Sequence, residues 1–256
     1  MFKAKKSLGQ NFLKSQKVLN KIIETGNLSP SDVVLEIGPG KGALTGRLLE
    51  SGARVIAVEK DSRATEFLKE KFANEISEEK LELLQEDILE FDPNQLPVGY
   101  KLIANIPYYI TGEIIEKFLS AKNKPSIIIL LVQKEVALRI IARDKKESIL
   151  SNSVKIFGNP KHIITAKKKD FSPSPKVDSA VILIEEISNK NFEENKINEK
   201  DFFNILKTGF KHKRKRVIKN IANIISEDNL LNLGINKDAR AENLKLEDWI
   251  KITQKL

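Results

Sequence analysis

The chain has 256 residues, 41% of them hydrophobic and 31% charged, which allows one large core with a smaller appendage. It contains no cysteine, so disulfides and thiolate metal sites are excluded and a reducing, cytoplasmic setting is expected; the longest apolar run, Ile127 to Val132, is too short to span a bilayer, and the basic start lacks the apolar stretch of a signal peptide. The formal net charge of +9 points to a polyanionic partner, and it is concentrated, with six lysines and no acid in residues 1–23 and seven Lys or Arg and no acid in residues 205–219.

After the basic lead, Val18, Ile22 and Ile23 predict a short amphipathic helix ending at Gly26. The stretch V-V-L-E-I-G-P-G-K-G-A-L-T, residues 33–45, then runs from an apolar strand through Gly38, Gly40 and Gly42 into a helical pattern. Glycine there permits positive φ and lets a ligand approach the backbone without meeting a Cβ. R-V-I-A-V-E, residues 54–59, predicts a second strand ending in Glu59, an acid placed to accept hydrogen bonds from both hydroxyls of a ribose. Further strands are expected near 81–85, 100–104 and 126–132, and helices near 42–51, 62–74, 111–121 and 133–143.

This alternation predicts an α/β fold, a doubly wound, mainly parallel Rossmann-like sheet with its ligand at the carboxyl ends of the strands. Residues 159–187 break the rhythm with a lysine-rich strand, the stretch F-S-P-S-P-K-V-D-S and V-I-L-I-E-E; they predict an antiparallel hairpin at one end of the sheet. Polar residues 188–200 read as a linker. Beyond Asp201 the spacing is helical, with Phe203, Leu206 and Phe210 on one stripe, Val217, Ile221, Ile224 and Ile225 on another, and K-H-K-R-K-R between them. Two domains follow, residues 1–187 and a small helical domain at 188–256. No exposed apolar stripe demands a partner subunit, so a monomer is expected.

Gly38, Gly40 and Ala43 match G-x-G-x-x-A, which fits a dinucleotide loop and does not by itself separate a nicotinamide enzyme from other users of nucleoside cofactors. The stretch N-I-P-Y-Y-I sets Asn105, Pro107 and two tyrosines, Tyr108 and Tyr109, at the carboxyl edge of the fourth strand. An amide oxygen and a backbone carbonyl can each accept a hydrogen from an amine while an aromatic face stacks on its ring, a combination suited to a planar base with an exocyclic amino group. His162 and His212 stand without ligand-spaced partners, so no metal site is expected.

Taken together, K-S-L-G-Q-N-F-L (6–13), E-I-G-P-G-K-G-A-L-T (36–45), V-E-K-D (58–61), E-D-I-L (86–89), N-I-P-Y-Y-I (105–110) and F-S-P-S-P-K-V-D-S-A-V (171–181) resemble the ribosomal RNA adenine N6,N6-dimethyltransferase family. The tail L-G-I-N-K-D-A-R-A-E-N-L (233–244) resembles its bacterial small-subunit branch, the kasugamycin-sensitivity methyltransferases. The resemblance implies a class I methyltransferase sheet followed by an RNA-binding domain, with S-adenosylmethionine as cofactor and two adjacent adenines near the 3′ end of small-subunit ribosomal RNA as substrate. The assembling small ribosomal subunit is then the partner. It further implies that Asn11 and Leu13 close over the cofactor, that Gly38 lies against its methionine part, that Glu59 holds the ribose and that Asp87 accepts from the adenine amine. Asn105 would sit beside the methyl group, Tyr108 would stack on the target base and Phe171 would cover its other face. Lys41 is expected to face solvent. One departure is the segment K-K-E-S-I-L-S near position 147, where many members carry a Tyr-Gly pair ahead of Leu-Ser.

The rival readings are a large-subunit methyltransferase of the macrolide-resistance type, an RNA-binding assembly factor or a related mitochondrial transcription factor, and a nicotinamide oxidoreductase. Intact Glu59, Asn105, Pro107 and Tyr108 argue for retained catalysis, and no hydride-transfer site is evident.

Overall fold

The computed structural model describes residues 4–5 and 8–256; Lys6 and Ser7 of the K-S-L-G-Q-N-F-L motif lie outside that range. The strands are β1 (Phe12–Leu13), β2 (Val33–Ile37), β3 (Arg54–Glu59), β4 (Leu81–Gln85), β5 (Lys101–Asn105), β6 (Ile127–Gln133), β7 (Asn159–Ala166), β8 (Phe171–Ser172) and β9 (Ser179–Glu185). The first seven helices are α1 (Gln16–Gly26), α2 (Ala43–Glu50), α3 (Ser62–Lys71), α4 (Ala73–Ser77), α5 (Thr111–Ser120), α6 (Lys134–Ile140) and α7 (Ile149–Lys155). After the sheet come α8 (Lys190–Asn195), α9 (Glu199–Gly209), α10 (Val217–Ile221), α11 (Glu227–Asn232) and α12 (Leu246–Thr253).

Seven strands form one sheet in the order β4-β3-β2-β5-β6-β9-β7. The pairs β2–β3, β3–β4, β2–β5 and β5–β6 are parallel, and β9 runs antiparallel to β6. The chain winds outward from β2 through β3 to β4, then returns to the other side of β2 at β5. That reversal opens a crevice beyond the carboxyl ends of β2 and β5, where sheets of this type bind ligands. Strands buried on both faces read as near-continuous apolar runs; β6, I-I-I-L-L-V-Q, is fully buried from Ile128 to Val132.

The chain divides into two compact units, one of residues 1–137 and 160–187, the other of residues 138–159 and 188–256. The sequence reading divides the chain once, at 187/188; the structure also cuts it at 137/138 and 159/160, and residues 138–159 group with the C-terminal part. Aromatic packing accounts for this: Phe157 stacks on Phe203 at 6.2 Å and meets Phe192 at 5.3 Å. The Phe157 carbonyl accepts from the Ser188 amide, and the Ile156 carbonyl from the Asn191 side chain. The expected linker at 188–200 is likewise ordered structure, because Phe192 and Ile197 are buried and Asn198 caps α9 by accepting from the amides of Lys200 and Asp201.

Within the second unit α9 packs on α10 and α12. A Cβ on Gly209 would lie 2.3 Å from the Trp249 ring, so only glycine lets that fully buried indole sit against α9.

Candidate cofactor and methyl-transfer cleft

The crevice is a cleft with about 910 Å³ of empty space, part of it open to solvent, contained in the first unit. Its floor is Ile37, Gly38 and Gly40 after β2, and its walls carry Glu59 and Lys60, Glu86 to Leu89, Asn105 to Ile110, and Leu8 to Phe12.

The three glycines have φ of 64°, 58° and 69°, all in the left-handed region that glycine adopts without cost. Their surroundings differ. Nothing lies within 4 Å of the point where a Cβ on Gly38 would sit, so that position is open to a ligand. A Cβ on Gly40 would fall 2.8 Å from the Phe12 ring, and one on Gly42 would meet Phe72 and Leu68. Gly38 thus serves approach, Gly40 accommodates the N-terminal segment, and Gly42 seats the loop on α3.

Glu59, at the end of β3, is almost fully buried, and its two oxygens accept from the backbone amides of Gly40 at 3.1 Å and Asp61 at 2.8 Å. Burial raises its pKa, and those amides oppose the rise. The acid therefore ties the glycine loop to the next turn while its remaining lone pairs stay available to hydroxyl donors. Asp87, just past β4, accepts from the Leu89 amide at 3.0 Å and from Lys60 Nζ at 2.5 Å. The hydrogen bond from Lys60 is the main reason its carboxyl titrates below the usual range.

Lys41, expected in solvent, is half-buried with its ammonium 4.9 Å from the Phe12 ring centroid. Lys71 donates to the carbonyls of Lys41 and Gly42 at 3.0 and 3.3 Å. Lys71 is thus drawn onto the loop's carbonyls and Lys41 onto the Phe12 ring rather than presented as a phosphate clamp, and Glu59, Glu86 and Asp87 outnumber Lys60 among the charged lining residues. Such a cleft suits a cationic nucleoside without phosphates better than a pyrophosphate-bearing dinucleotide.

On the opposite wall Asn105 Nδ2 donates one of its two hydrogens to the Asn11 carbonyl at 3.0 Å, which fixes the orientation of the amide and leaves Oδ1 to act as an acceptor. Pro107, with ψ near 131°, turns the chain into a short 3-10 segment beginning at Tyr108. The Tyr108 hydroxyl hydrogen-bonds Ser179 Oγ at the start of β9, and burial raises its pKa.

Asn11, Gly38, Gly40, Glu59, Asp87, Asn105, Pro107 and Tyr108 therefore meet around one cleft. Leu13 and Phe171 do not line it. They pair across the two-stranded ribbon of β1 and β8 and are 5% and 2% exposed in the main core cluster, so in this arrangement both act through packing. The sequence does not single out Gln10, whose side-chain amide donates to Asp61 at 2.9 Å and pins the N-terminal segment over the cleft. Asp61 is also gripped by Arg63, which holds its carboxyl down near a pKa of about 2. The spacing V-E-K-D marks Asp61, but a bond spanning 51 positions leaves no local signal. Tyr109, the second tyrosine expected at that strand end, is exposed at the rim of the cleft.

The family model described as ribosomal RNA adenine dimethylase matches residues 1–256. The ribosomal RNA small subunit methyltransferase A of Dehalococcoides mccartyi strain CBDB1 is 41% identical over 98% of this chain and 87% of its own, and that of Fusobacterium nucleatum is 40% identical over 98% and 97%. Among solved structures, a dimethyladenosine transferase from Plasmodium falciparum superposes with a TM-score of 0.80 at 28% identity, covering 94% of this chain and 95% of that one. The 23S rRNA methyltransferase ErmE, at 23% identity and a TM-score of 0.77 over 96% and 99%, shares the fold. The chain belongs to the ribosomal RNA adenine dimethylase family.

Proposed function

We propose that this protein transfers methyl groups from S-adenosylmethionine to N6 of two adjacent adenines near the 3′ end of small-subunit ribosomal RNA, during assembly of that subunit. As a member of its family it is a ribosomal RNA adenine methyltransferase; the choice of the small subunit is supported by the names of relatives 35–41% identical over nearly the whole chain. The observation that carries the chemistry is the Asn105 amide, held through its nitrogen by the Asn11 carbonyl with its oxygen left to accept from an amine.

When bound, S-adenosylmethionine supplies an electrophilic methyl group on a sulfonium. The acidic, phosphate-free donor set around Glu59 and Asp87 and the open backbone at Gly38 fit that cofactor. Adenine N6 is a poor nucleophile because its lone pair is delocalised into the ring. Hydrogen bonds from the amine to Asn105 Oδ1 and to the Ile106 or Pro107 carbonyl would localise that pair toward the methyl carbon, with Tyr108 supporting the face of a base drawn out of its stack. Positioning is the main catalytic resource, and the proton can leave after nitrogen becomes cationic. After one transfer a single hydrogen remains, enough for one of the two acceptors, so the same geometry serves the second round. The exposed run Lys211 to Arg216 in the second unit offers charge for the RNA backbone.

The test offers unmethylated small-subunit particles, naked small-subunit RNA and large-subunit RNA in parallel, followed by mass identification of the nucleosides. Dimethyladenosine is expected chiefly in the particles. Its appearance chiefly in large-subunit RNA would move the assignment to the resistance-type enzyme, and its absence everywhere would favour a binding factor.

A further inference from the structure

The antiparallel strand β9 begins where β6 ends, Ser179 pairing with Gln133. Segment 167–178 is therefore delivered to the carboxyl edge of the sheet, the edge that carries the cleft. Two acids fix its shape from inside. Asp170 accepts from the Lys167 amide at 2.7 Å, and Asp178 accepts from the Lys168 amide at 3.1 Å. Ser174 Oγ closes the loop on the Lys168 carbonyl at 2.9 Å, and the Asp170 carbonyl accepts from the Lys14 amide at 2.8 Å. The next residue after Asp178 is Ser179, the partner of the Tyr108 hydroxyl. Both carboxylates face backbone amides, and Asp178 also pairs with the Lys167 ammonium at 3.4 Å; the side chains of Lys14, Lys168, Lys169 and Lys176 are exposed around the turn.

Lysines on an edge strand commonly guard it against pairing with another chain, and that explains Lys161, which lies on β7 and pairs with Glu185. It does not explain Lys168 and Lys169, which come after β7 has ended at Ala166 and so guard no edge. A turn carrying several ammonium groups, hydrogen-bonded to Asp178, the chain neighbour of the residue that holds Tyr108, has the chemistry of a phosphate grip on a single strand.

We infer that the turn Lys168–Asp170, held by Asp178 and flanked by Lys14 and Lys176, binds the ribose-phosphate backbone of the single-stranded RNA beside the target adenine. This surface lies in the first unit and is separate from the basic run at 211–216. The inference rests on the RNA-methyltransferase reading given above. Its role is to fix the strand where the base leaves its stack; it contributes affinity and register and reads no sequence.

The test titrates unmethylated small-subunit particles into the wild type and into Lys168→Ala/Lys169→Ala at several salt concentrations, with cofactor affinity measured calorimetrically alongside. The double variant should bind particles at least about fivefold more weakly, and the slope of log affinity against log salt should shrink by about 1.4, that is about 0.7 for each RNA phosphate no longer neutralised. Cofactor affinity should be unchanged. A second variant, Asp178→Ala, removes a negative charge, so charge alone predicts tighter binding, whereas loss of the held turn predicts weaker binding. Unchanged affinity and slope in the lysine variant, or binding by Asp178→Ala as tight as the wild type's, overturns the inference while leaving the proposed reaction standing. A wild type that binds cofactor but methylates no particle overturns the reaction instead.

Discussion

Asn105 and Asn11, 94 positions apart, are joined by a 3.0 Å hydrogen bond from the side-chain nitrogen of the first to the backbone carbonyl of the second. In the proposed reaction this bond would set which end of the amide receives the substrate amine, so that the N-terminal segment orients the acceptor as well as lining the cleft. Asn105→Asp keeps the size but replaces the donor with a second acceptor facing a carbonyl. Methyl transfer should fall by at least about 100-fold, on the order of 3 kcal/mol of transition-state stabilisation. Single-turnover rates at saturating cofactor check this; a rate within threefold of the wild type would remove Asn105 from the chemistry.

Glu59→Gln should weaken cofactor binding about 10- to 100-fold without unfolding the protein, because charged hydrogen bonds are worth about 1.5–3 kcal/mol each. An amide also cannot accept from both Gly40 and Asp61 while receiving hydroxyls. Since burial raises the pKa of Glu59 and the carboxylate is the binding form, wild-type affinity should fall as pH drops through that raised value. The variant should lack this dependence. Calorimetric titration at a series of pH values reads both effects.

Tyr108 separates ring from hydroxyl. Tyr108→Phe loses only the bond to Ser179 and should retain methyl transfer to within about tenfold, the effect of one neutral hydrogen bond. Tyr108→Ala loses the stacking face, worth about 1–3 kcal/mol by comparison with other base platforms, and should be much slower at unchanged cofactor affinity. Equal losses in rate and cofactor binding would return Tyr108 to a packing role.

Glu36 is completely buried at the end of β2, its Oε2 without a hydrogen-bond partner, and burial pushes its carboxyl up to about 8. Between the ordinary 4.5 and that value the folded chain holds a proton that the unfolded chain has released. Stability from this group is therefore fully present below the unfolded pKa and is lost as pH rises toward 8, by about 1.4 kcal/mol per pH unit. Glu36→Gln mimics the protonated form and should remove that slope, leaving the variant more stable than the wild type by about 2 kcal/mol or more at pH 7.5. Urea denaturation at pH 5.5, 6.5 and 7.5 compares the two; parallel curves would show that Glu36 is ionised in the folded chain.

Strands β2, β3, β5 and β6 were legible to within a residue because strands buried on both faces leave contiguous apolar runs with charged or glycine borders, as at V-V-L-E-I-G and R-V-I-A-V-E. The parts of the cleft that close β2, β3 and β5 were legible for the same reason, whereas the wall at residues 8–12 follows no such run. The fate of 188–200 was not: Phe192 and Ile197 are single apolar residues in a polar stretch, and one ring that Phe192 packs on, Phe157, lies beyond the whole β7–β9 segment. Leu13 and Phe171 sit inside motifs that border the cleft, yet the register of β1 on β8 turns them into the core. A two-residue ribbon is too short to announce its facing.

Trp249 is the only tryptophan in the chain; it is wholly buried in the second unit, while all three tyrosines, Tyr100, Tyr108 and Tyr109, belong to the first. The molecule thus carries a built-in optical division of labour. Emission excited at the red edge, where only indole absorbs, reports on the helical unit alone, and circular dichroism reports on both. Superimposable denaturation curves from the two signals would mean that the units melt as one cooperative body, and separated midpoints would give the independent stability of each.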